Sequence, residues 1–368
     1  MDVSRETLTR AANELGFVLV GFAPLRQLRE RENFYRQWLD DGGHATMAYL
    51  AREPERRFDP RRLDARYRSV VSIGYPYAAR AIPKVDWRGE LRGRIAAYAL
   101  GRDYHDVVGR RARAVAEVIS QIRPGSIARA YVDTGPVFER EWAVDARLGW
   151  FGKNTMILNR GHGSYFFLAE IFTDAEFEAT MEPYREHCGT CRRCLDLCPT
   201  GALADGYVMR SDLCISYQTI ENRGAIAREL RPKLGNWIFG CDICNDVCPW
   251  NDLAADDGST DLVPRLPELL ALNDEEFGRR FTKSAVKRAK RRGLLRNVAV
   301  ALGNTRNPDA VTPLARSLET EPEPLIRSHA AWALGQIGAS AARRALERAL
   351  GDCDAAVREE AAAALETN

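Results

Sequence analysis

Eight cysteines fall within the 61 residues from Cys188 to Cys248. Four form Cys188-x2-Cys191-x2-Cys194-x3-Cys198-Pro199, three form Cys241-x2-Cys244-x3-Cys248-Pro249, and Cys214 stands alone between them. Closely spaced thiolates wrap one corner of a [4Fe–4S] cubane, and in two-cluster chains the cysteine before proline reaches across to the other cluster. That rule assigns Cys188, Cys191, Cys194 and Cys248 to one cubane, and Cys198, Cys214, Cys241 and Cys244 to a second. Structural zinc takes four ligands in two pairs, which leaves the third cysteine at x2 and the Cys-Pro at x3 without a use. Disulfides suit oxidising compartments, and nothing in the chain indicates export. The ninth cysteine, Cys353, sits in an alanine-rich helical run and reads as a small buried hydrophobe.

Clusters carry electrons and need something to reduce. No G-x-G-x-x-G follows a strand and no P-loop is present, so neither a Rossmann nicotinamide site nor a nucleotide phosphate site is supported. The other chemical candidate is Asp133, in Tyr131-Val132-Asp133-Thr134-Gly135-Pro136-Val137. A carboxylic acid at a strand end, beside an enclosed apolar site, can hold its proton and donate it. On physical grounds alone, a helix cap for the segment from Val137 is the stronger account. The tight loop Gly149-Trp150-Phe151-Gly152-Lys153-Asn154 follows soon after.

The elements that must position these residues alternate between helix and strand. Leu8, Ala11, Ala12 and Leu15 share a helical face, with Ser4 as cap. Strands are expected at Phe17–Phe22, Val70–Ile73, Ile127–Val132 and Ser164–Phe172, and Val107 to Ile122 reads as a long amphipathic helix. Residues 1–175 therefore form an α/β or α+β domain whose strand order the sequence leaves open. Residues 176–258 carry the cysteines on short loops, with little room for a separate core.

The last hundred residues repeat. Asn297-Val298-Ala299-Val300-Ala301-Leu302-Gly303 recurs 32 residues later as His329 to Gly335, and Glu360-Ala361-Ala362-Ala363-Ala364-Leu365 recurs 31 after that. Helix pairs at this period read as HEAT-like repeats over 259–368, which present a surface to a large partner or serve as a stabilising cap. Before the repeats, Arg279 to Arg296 holds nine Lys/Arg and no Asp or Glu. In a chain of net charge only +2, that run points to phosphate-backbone contact through Lys287, Arg288, Arg291 and Arg292, against the plainer account of a solvated face.

The bulk properties are those of a globular protein: 368 residues, 45% hydrophobic and 28% charged. The amino terminus is charged, without an apolar h-region or twin arginines, and no apolar run approaches the roughly 20 residues of a membrane span. The expectation is a cytoplasmic protein without a membrane partner, and a monomer.

Taken together, the V-D-T-G-P segment at Val132, G-W-x-G-K-N at Gly149, the C-x2-C-x2-C-x3-C-P run and Trp237 to Asn251 (W-I-F-G-C-D-I-C-N-D-V-C-P-W-N) resemble the epoxyqueuosine reductase family. Cys214 to Gly224 resembles that family's link between its cysteine groups, and the similarity extends over essentially the whole chain. The resemblance implies an α+β fold in three parts: a cobalamin-binding domain, a ferredoxin-like two-cluster domain and a helical repeat tail that binds tRNA. It implies cobalamin and two [4Fe–4S] clusters as cofactors, a tRNA substrate and a low-potential electron donor. The reaction would remove the epoxide oxygen of epoxyqueuosine at the wobble position, leaving an alkene. By the same resemblance Asp133 would be the proton donor and lie against the corrin. Arg57, Asn154, Ile157, Leu168, Ser216 and Asp242 would surround the corrin, with backbone groups serving at Ile157 and Leu168. Tyr98 and His105 would contact substrate or only pack. No D-x-H-x-x-G motif is present, so no axial ligand is assigned. Two alternatives remain: a corrinoid reductive dehalogenase, which usually carries a twin-arginine signal, and a ferredoxin-like carrier, which leaves the first 175 residues unused.

Overall fold

The helix-and-strand alternation of the amino-terminal part becomes, in the computed structural model, one four-stranded sheet with helices on both faces. The structure describes residues 3–77, 85–181, 185–203, 205–251 and 261–366. In chain order the elements begin α1 (Val3–Glu14), β1 (Leu19–Pro24), α2 (Arg29–Asp40), α3 (Glu55–Phe58), β2 (Ser69–Pro76), β3 (Arg94–Ile95), α4 (Tyr104–Ile122) and β4 (Ala128–Tyr131). They continue with α5 (Glu139–Asp145), β5 (Trp150–Phe151), β6 (Ile157–Leu158), β7 (Phe166–Thr173), α6 (Arg193–Asp196), α7 (Ile215–Ile220), β8 (Trp237–Phe239) and α8 (Ile243–Asp246). The helices α9 (Leu266–Leu270), α10 (Asp274–Arg280), α11 (Lys290–Thr305), α12 (Val311–Thr320), α13 (Pro324–Ile337), α14 (Ser340–Ala349) and α15 (Ala355–Glu366) complete the order.

These elements form two compact units rather than three consecutive ones. The first comprises Met1–Ala79, Arg102–Asp212 and Ile243–Ala254; the second comprises Arg80–Gly101, Leu213–Asp242 and Ala255–Asn368. The cysteine segment is thus shared between them, and the boundary expected at 258 lies outside the described residues. No described helix is long and apolar enough to cross a membrane.

In the first unit the strand order is β1-β2-β7-β4, antiparallel throughout, which makes the domain α+β. Side chains alternate across a strand. Val71, Ile73, Ala169 and Ile171 therefore face one side, buried with the apolar stripe of α4 (Val108, Ala112, Val115 and Ile119). Val70 and Phe172 face the other side, under Trp142 and Ala146 of α5. β1 begins at Leu19, two residues later than expected, because Phe17 still bonds back to Ala12 of α1 and Val18 is exposed. Ser4 lies within α1 as described from Val3, and Asp103 caps α4 through the His105 N–H.

In the second unit the three recurring segments lie on α11, α13 and α15, which pack in sequence as stacked repeats. The inner helices also grip their own chain. Arg296 is fully buried, and its guanidinium donates to the carbonyls of Gln218, Asn222 and Gly224 and to Asn297 Oδ1. Asn297 donates to Thr219 and Ile238, His329 Nε2 accepts the Ile226 N–H, and Glu360 pairs with Arg228 and Arg231. Arg296 is therefore a structural clamp rather than part of a solvated basic face, and burial lowers its pKa to about 9. Unmaking its bonds leaves several buried carbonyls unsatisfied at about 1–3 kcal/mol each. Arg296→Met should cost at least about 3 kcal/mol in denaturant unfolding of the anaerobically prepared protein; a loss under about 1 kcal/mol would show that the clamp is not structural.

Candidate active site

Asp133 stands just beyond the end of β4, where the chain leaves the sheet. Its φ of +51° is unusual for a residue with a side chain, although aspartate tolerates this region better than most. Such outliers persist where surrounding structure holds them. Here Tyr104 O–H donates to Asp133 Oδ2, His105 Nε2 lies 3.8 Å from the same oxygen, and the Asp133 N–H donates to Glu139 Oε1 at 2.5 Å. His105 is itself steered by Asp103, whose Oδ1 is 2.7 Å from Nδ1. Gly135 lets the loop turn, since a Cβ there would come within 2.4 Å of the Tyr131 ring. The Asp133 side chain is 59% exposed. The helix-cap account fails: α5 starts at Glu139, with Phe138 before it and no side-chain cap.

Glu139 opens α5 beside Asp133. Burial, and then the nearby Asp133 charge, push its carboxyl up to about 8. Arg140, the next residue, donates to the Thr155 carbonyl. It keeps an exposed surface although protein surrounds it closely enough for desolvation to lower its pKa.

The residues proposed around a corrin separate on inspection. In the first unit, Leu168 has its backbone turned toward the Asp133 side. Its partner Gly74 gives its carbonyl to Val18 on the β1 side, so strand alternation turns the N–H and C=O of Leu168 away from β2. They point to where β4 has already ended, opposite Tyr131↔Glu170 and beyond. Arg57 is buried, donates from Nη2 to the Tyr49 carbonyl and has an Nε donor with no partner. Ile157 is buried in the β5–β6 hairpin. Asn154 is committed to the protein: its amide donates to Cys244 O and Asn245 Oδ1, and its Oδ1 accepts from Met156 N–H. In the second unit, Asp242 accepts the Ala97 N–H at 2.6 Å, Ser216 is half-buried on α7, and Tyr98 packs on Phe239.

Four cysteines of the first unit lie within electrostatic reach of one another. Burial pushes the Cys194 thiol up, and Cys188, Cys248 and Cys191 lie close enough to push it further. Cys248 is raised by burial and by Cys188 and Cys191. The set Cys188, Cys191, Cys194 and Cys248 is therefore assembled in space. Among the described residues no three His, Cys, Asp or Glu side chains meet closely enough for a single metal ion, whereas a cubane spreads its thiolates over separate corners. The glycine-spaced loop braces this site. Lys153 Nζ donates to Gly189 O and Cys191 O, Asn154 holds Cys244 O, and the ring of His187 packs against both Trp150 and Trp250. Cys198 and Cys244 belong to the first unit, Cys214 and Cys241 to the second. All nine cysteines are free, and Cys353 is exposed beside Arg327 rather than buried. Reconstitution should give about eight iron and eight sulfide per chain, and Cys191→Ser should disturb one cluster first. Stoichiometric zinc would contradict this.

The basic run is only partly a surface. Arg291 is held by Glu321 and by the Leu272 carbonyl, and Arg296 is buried as described above. Lys287 and Arg292 are exposed, with Arg292 3.4 Å from Glu323, and Arg288 is half-buried. Sequence reasoning missed Tyr104, Glu139, Arg140 and Glu170 as parts of this region. Only the Asp103-Tyr104-His105 cluster ahead of an amphipathic helix was a signal for any of them.

Three family models match the chain: epoxyqueuosine reductase QueG (DUF1730) over residues 57–134, a 4Fe-4S double cluster binding domain over 187–251, and HEAT repeats over 282–366. Among curated relatives, the epoxyqueuosine reductase of Pseudomonas aeruginosa is 41% identical over 338 residues, covering 88% of this chain and 92% of its own. That of Escherichia coli is 39% identical over 331 residues, covering 88% and 86%. A crystal structure of epoxyqueuosine reductase with an epoxyqueuosine-modified tRNA-Tyr stem loop superposes with a TM-score of 0.90 at 31% identity, over 98% of both chains. The Bacillus subtilis enzyme, with its catalytic aspartate loop swung out of the active site, gives 0.89 at 29% identity, also over 98% of both.

Proposed function

The chain belongs to the epoxyqueuosine reductase family, and from that premise we propose how its own residues carry the reaction. It is an oxidoreductase that reduces epoxyqueuosine in tRNA, and it carries a double [4Fe–4S] cluster domain. The balance of the reaction is simple. Two C–O bonds of the epoxide break, a C=C bond forms, and two electrons and two protons carry the oxygen away as water.

Asp133 supplies a proton to the ring oxygen as the epoxide opens. The observation that carries this reading is the placement of its carboxyl at the open end of β4, fixed by Tyr104 and His105. Tyr104 holds one carboxyl oxygen, stacked in turn on Phe167 at 4.3 Å. Asp103 orients the His105 ring by its Nδ1 bond, so Nε2 is directed at Asp133. A pre-oriented acid adds roughly 10²–10⁴ to the rate.

The residues present fit a corrin. Leu168 turns its backbone N–H and C=O past the end of β4, where carboxamide side chains can pair with them. Arg57 keeps an unpartnered buried donor. Ile157 supplies apolar contact; Ser216 and Asp242 stay in the proposal from family resemblance. Cobalamin, when bound there, supplies a low-potential cobalt centre able to open an epoxide, fed by single electrons from the clusters. The first cluster is held by Cys188, Cys191, Cys194 and Cys248, and the spacing rule gives the second to Cys198, Cys214, Cys241 and Cys244. A low-potential one-electron donor in a reducing, cytoplasmic setting completes the supply.

The tRNA backbone is met by the outward part of the basic run, Lys287, Arg288 and Arg292. Conversion of epoxyqueuosine-tRNA by the cluster-loaded protein should require added cobalamin, and Arg57→Met should raise the cobalamin concentration needed. Full conversion by corrin-free protein would remove cobalamin from this account.

A further inference from the structure

A single carboxyl at Asp133 can deliver one proton at a time, whereas each turnover consumes two. This inference rests on the reading of Asp133 as the donor and asks what reloads it once substrate covers it.

We propose that Glu139 and Glu170 form an internal proton store that refills Asp133. Glu139 Oε1 already takes the Asp133 N–H. Glu139 and Trp142 are three residues apart on α5 and so share a helix face. Trp142 packs edge-on against Phe172 of β7 at 5.9 Å, and Glu170 lies two residues from Phe172 on the same face of that strand. Glu170 is fully buried in the sheet. Its Oε1 accepts from Ser72 Oγ at 2.9 Å, but its Oε2 has no partner. Trp142 Nε1 is also buried without a partner. Glu170 Oε2 and Trp142 Nε1 are thus a buried polar pair of atoms without partners on the α5 side of the sheet, and buried polar groups usually find one.

The groups around the pair are few. Glu139 faces Asp133 and Arg140; Glu170 faces Ser72 on β2, Tyr131 opposite on β4, and Glu139. Burial raises Glu170 well above the usual carboxylate range and Glu139 raises it further, while burial and then Asp133 raise Glu139, so each carboxyl holds its proton more tightly than an exposed acid would. The transfer balances. The Glu139 O–H proton passes to the Asp133 carboxylate, and the Glu170 proton replaces it. When product leaves, the exposed Asp133 lets solvent refill the store.

The test is steady-state turnover of holoenzyme on epoxyqueuosine-tRNA against pH. Wild type should lose kcat as pH rises through about 8, where Glu139 gives up its proton. Glu139→Gln keeps size and polarity; its kcat at neutral pH should fall by roughly 10²-fold, its KM for tRNA should hold, and the alkaline limb should vanish. Glu170→Gln, which retains the Ser72 bond, should lower kcat and increase the solvent deuterium effect while leaving the limb in place. A Glu139→Gln protein with wild-type kcat and pH profile overturns the store. So does an alkaline limb that disappears in His105→Gln but persists in Glu139→Gln, since reloading would then run through His105. Failure of the donor reading is separate: it appears as undiminished turnover in Asp133→Asn, whatever the glutamates do.

Discussion

Asp133→Asn should fold, bind tRNA and accept electrons into both clusters, yet turn over epoxyqueuosine roughly 10²–10⁴ times more slowly. Asparagine keeps the size and most of the hydrogen bonding but carries no transferable proton. The Tyr104 hydroxyl can still donate to the side-chain oxygen, and the backbone N–H can still reach Glu139. Asparagine also tolerates the left-handed backbone at this position. The loss should therefore lie in kcat, with stability within about 1 kcal/mol of wild type. A helix-capping role predicts the reverse, a small stability change and full activity, and the start of α5 at Glu139 already removes the cap. The rate of epoxide loss in a folded Asp133→Asn protein decides between them. A rate near wild type would take this residue out of the mechanism.

The second large effect is expected on tRNA affinity. Reversing Lys287, Arg288 and Arg292 to glutamate should weaken binding strongly and flatten the dependence of log K on log salt by about three units, near one per phosphate contact. Arg291 and Arg296 are left out for a structural reason. Arg291 is tied to Glu321 and Arg296 to backbone carbonyls, so changing either should lower stability and leave the salt slope alone. Affinity and slope unchanged in the triple variant would leave this run as a solvated face.

The contrast within that run shows what the sequence could and could not reveal. Charge density was readable, but which cations point outward depends on partners far away, such as Glu321 and the carbonyls of 218–224. Similarly, the three recurring segments announced stacked helices, yet nothing in their pattern told that Asn297, His329 and Glu360 would hold the stretch after Cys214. The cysteine spacing was more informative because a cubane imposes its own geometry, and Cys188, Cys191, Cys194 and Cys248 lie close enough to raise one another's thiols. Strand positions followed from apolar runs to within a few residues, while the order β1-β2-β7-β4 and the pairing of β3 with β8 arise from long-range register alone. Glu170 was invisible for the opposite reason. A glutamate inside Phe166-Phe167-Leu168-Ala169-Glu170-Ile171-Phe172 reads as one polar interruption of an apolar strand, and only the fold shows that it is fully buried.

The central claim is that this chain removes the oxygen of epoxyqueuosine in tRNA. Anaerobically prepared protein, loaded with iron, sulfide and cobalamin and supplied with a low-potential reductant, should be incubated with epoxyqueuosine-containing tRNA. The digested tRNA is then analysed by mass spectrometry. The account predicts that the epoxyqueuosine peak gives way to a nucleoside lighter by one oxygen atom, in step with reductant consumed at two electrons per conversion. Epoxyqueuosine persisting unchanged, with the clusters intact, reduced and corrin bound, would contradict it.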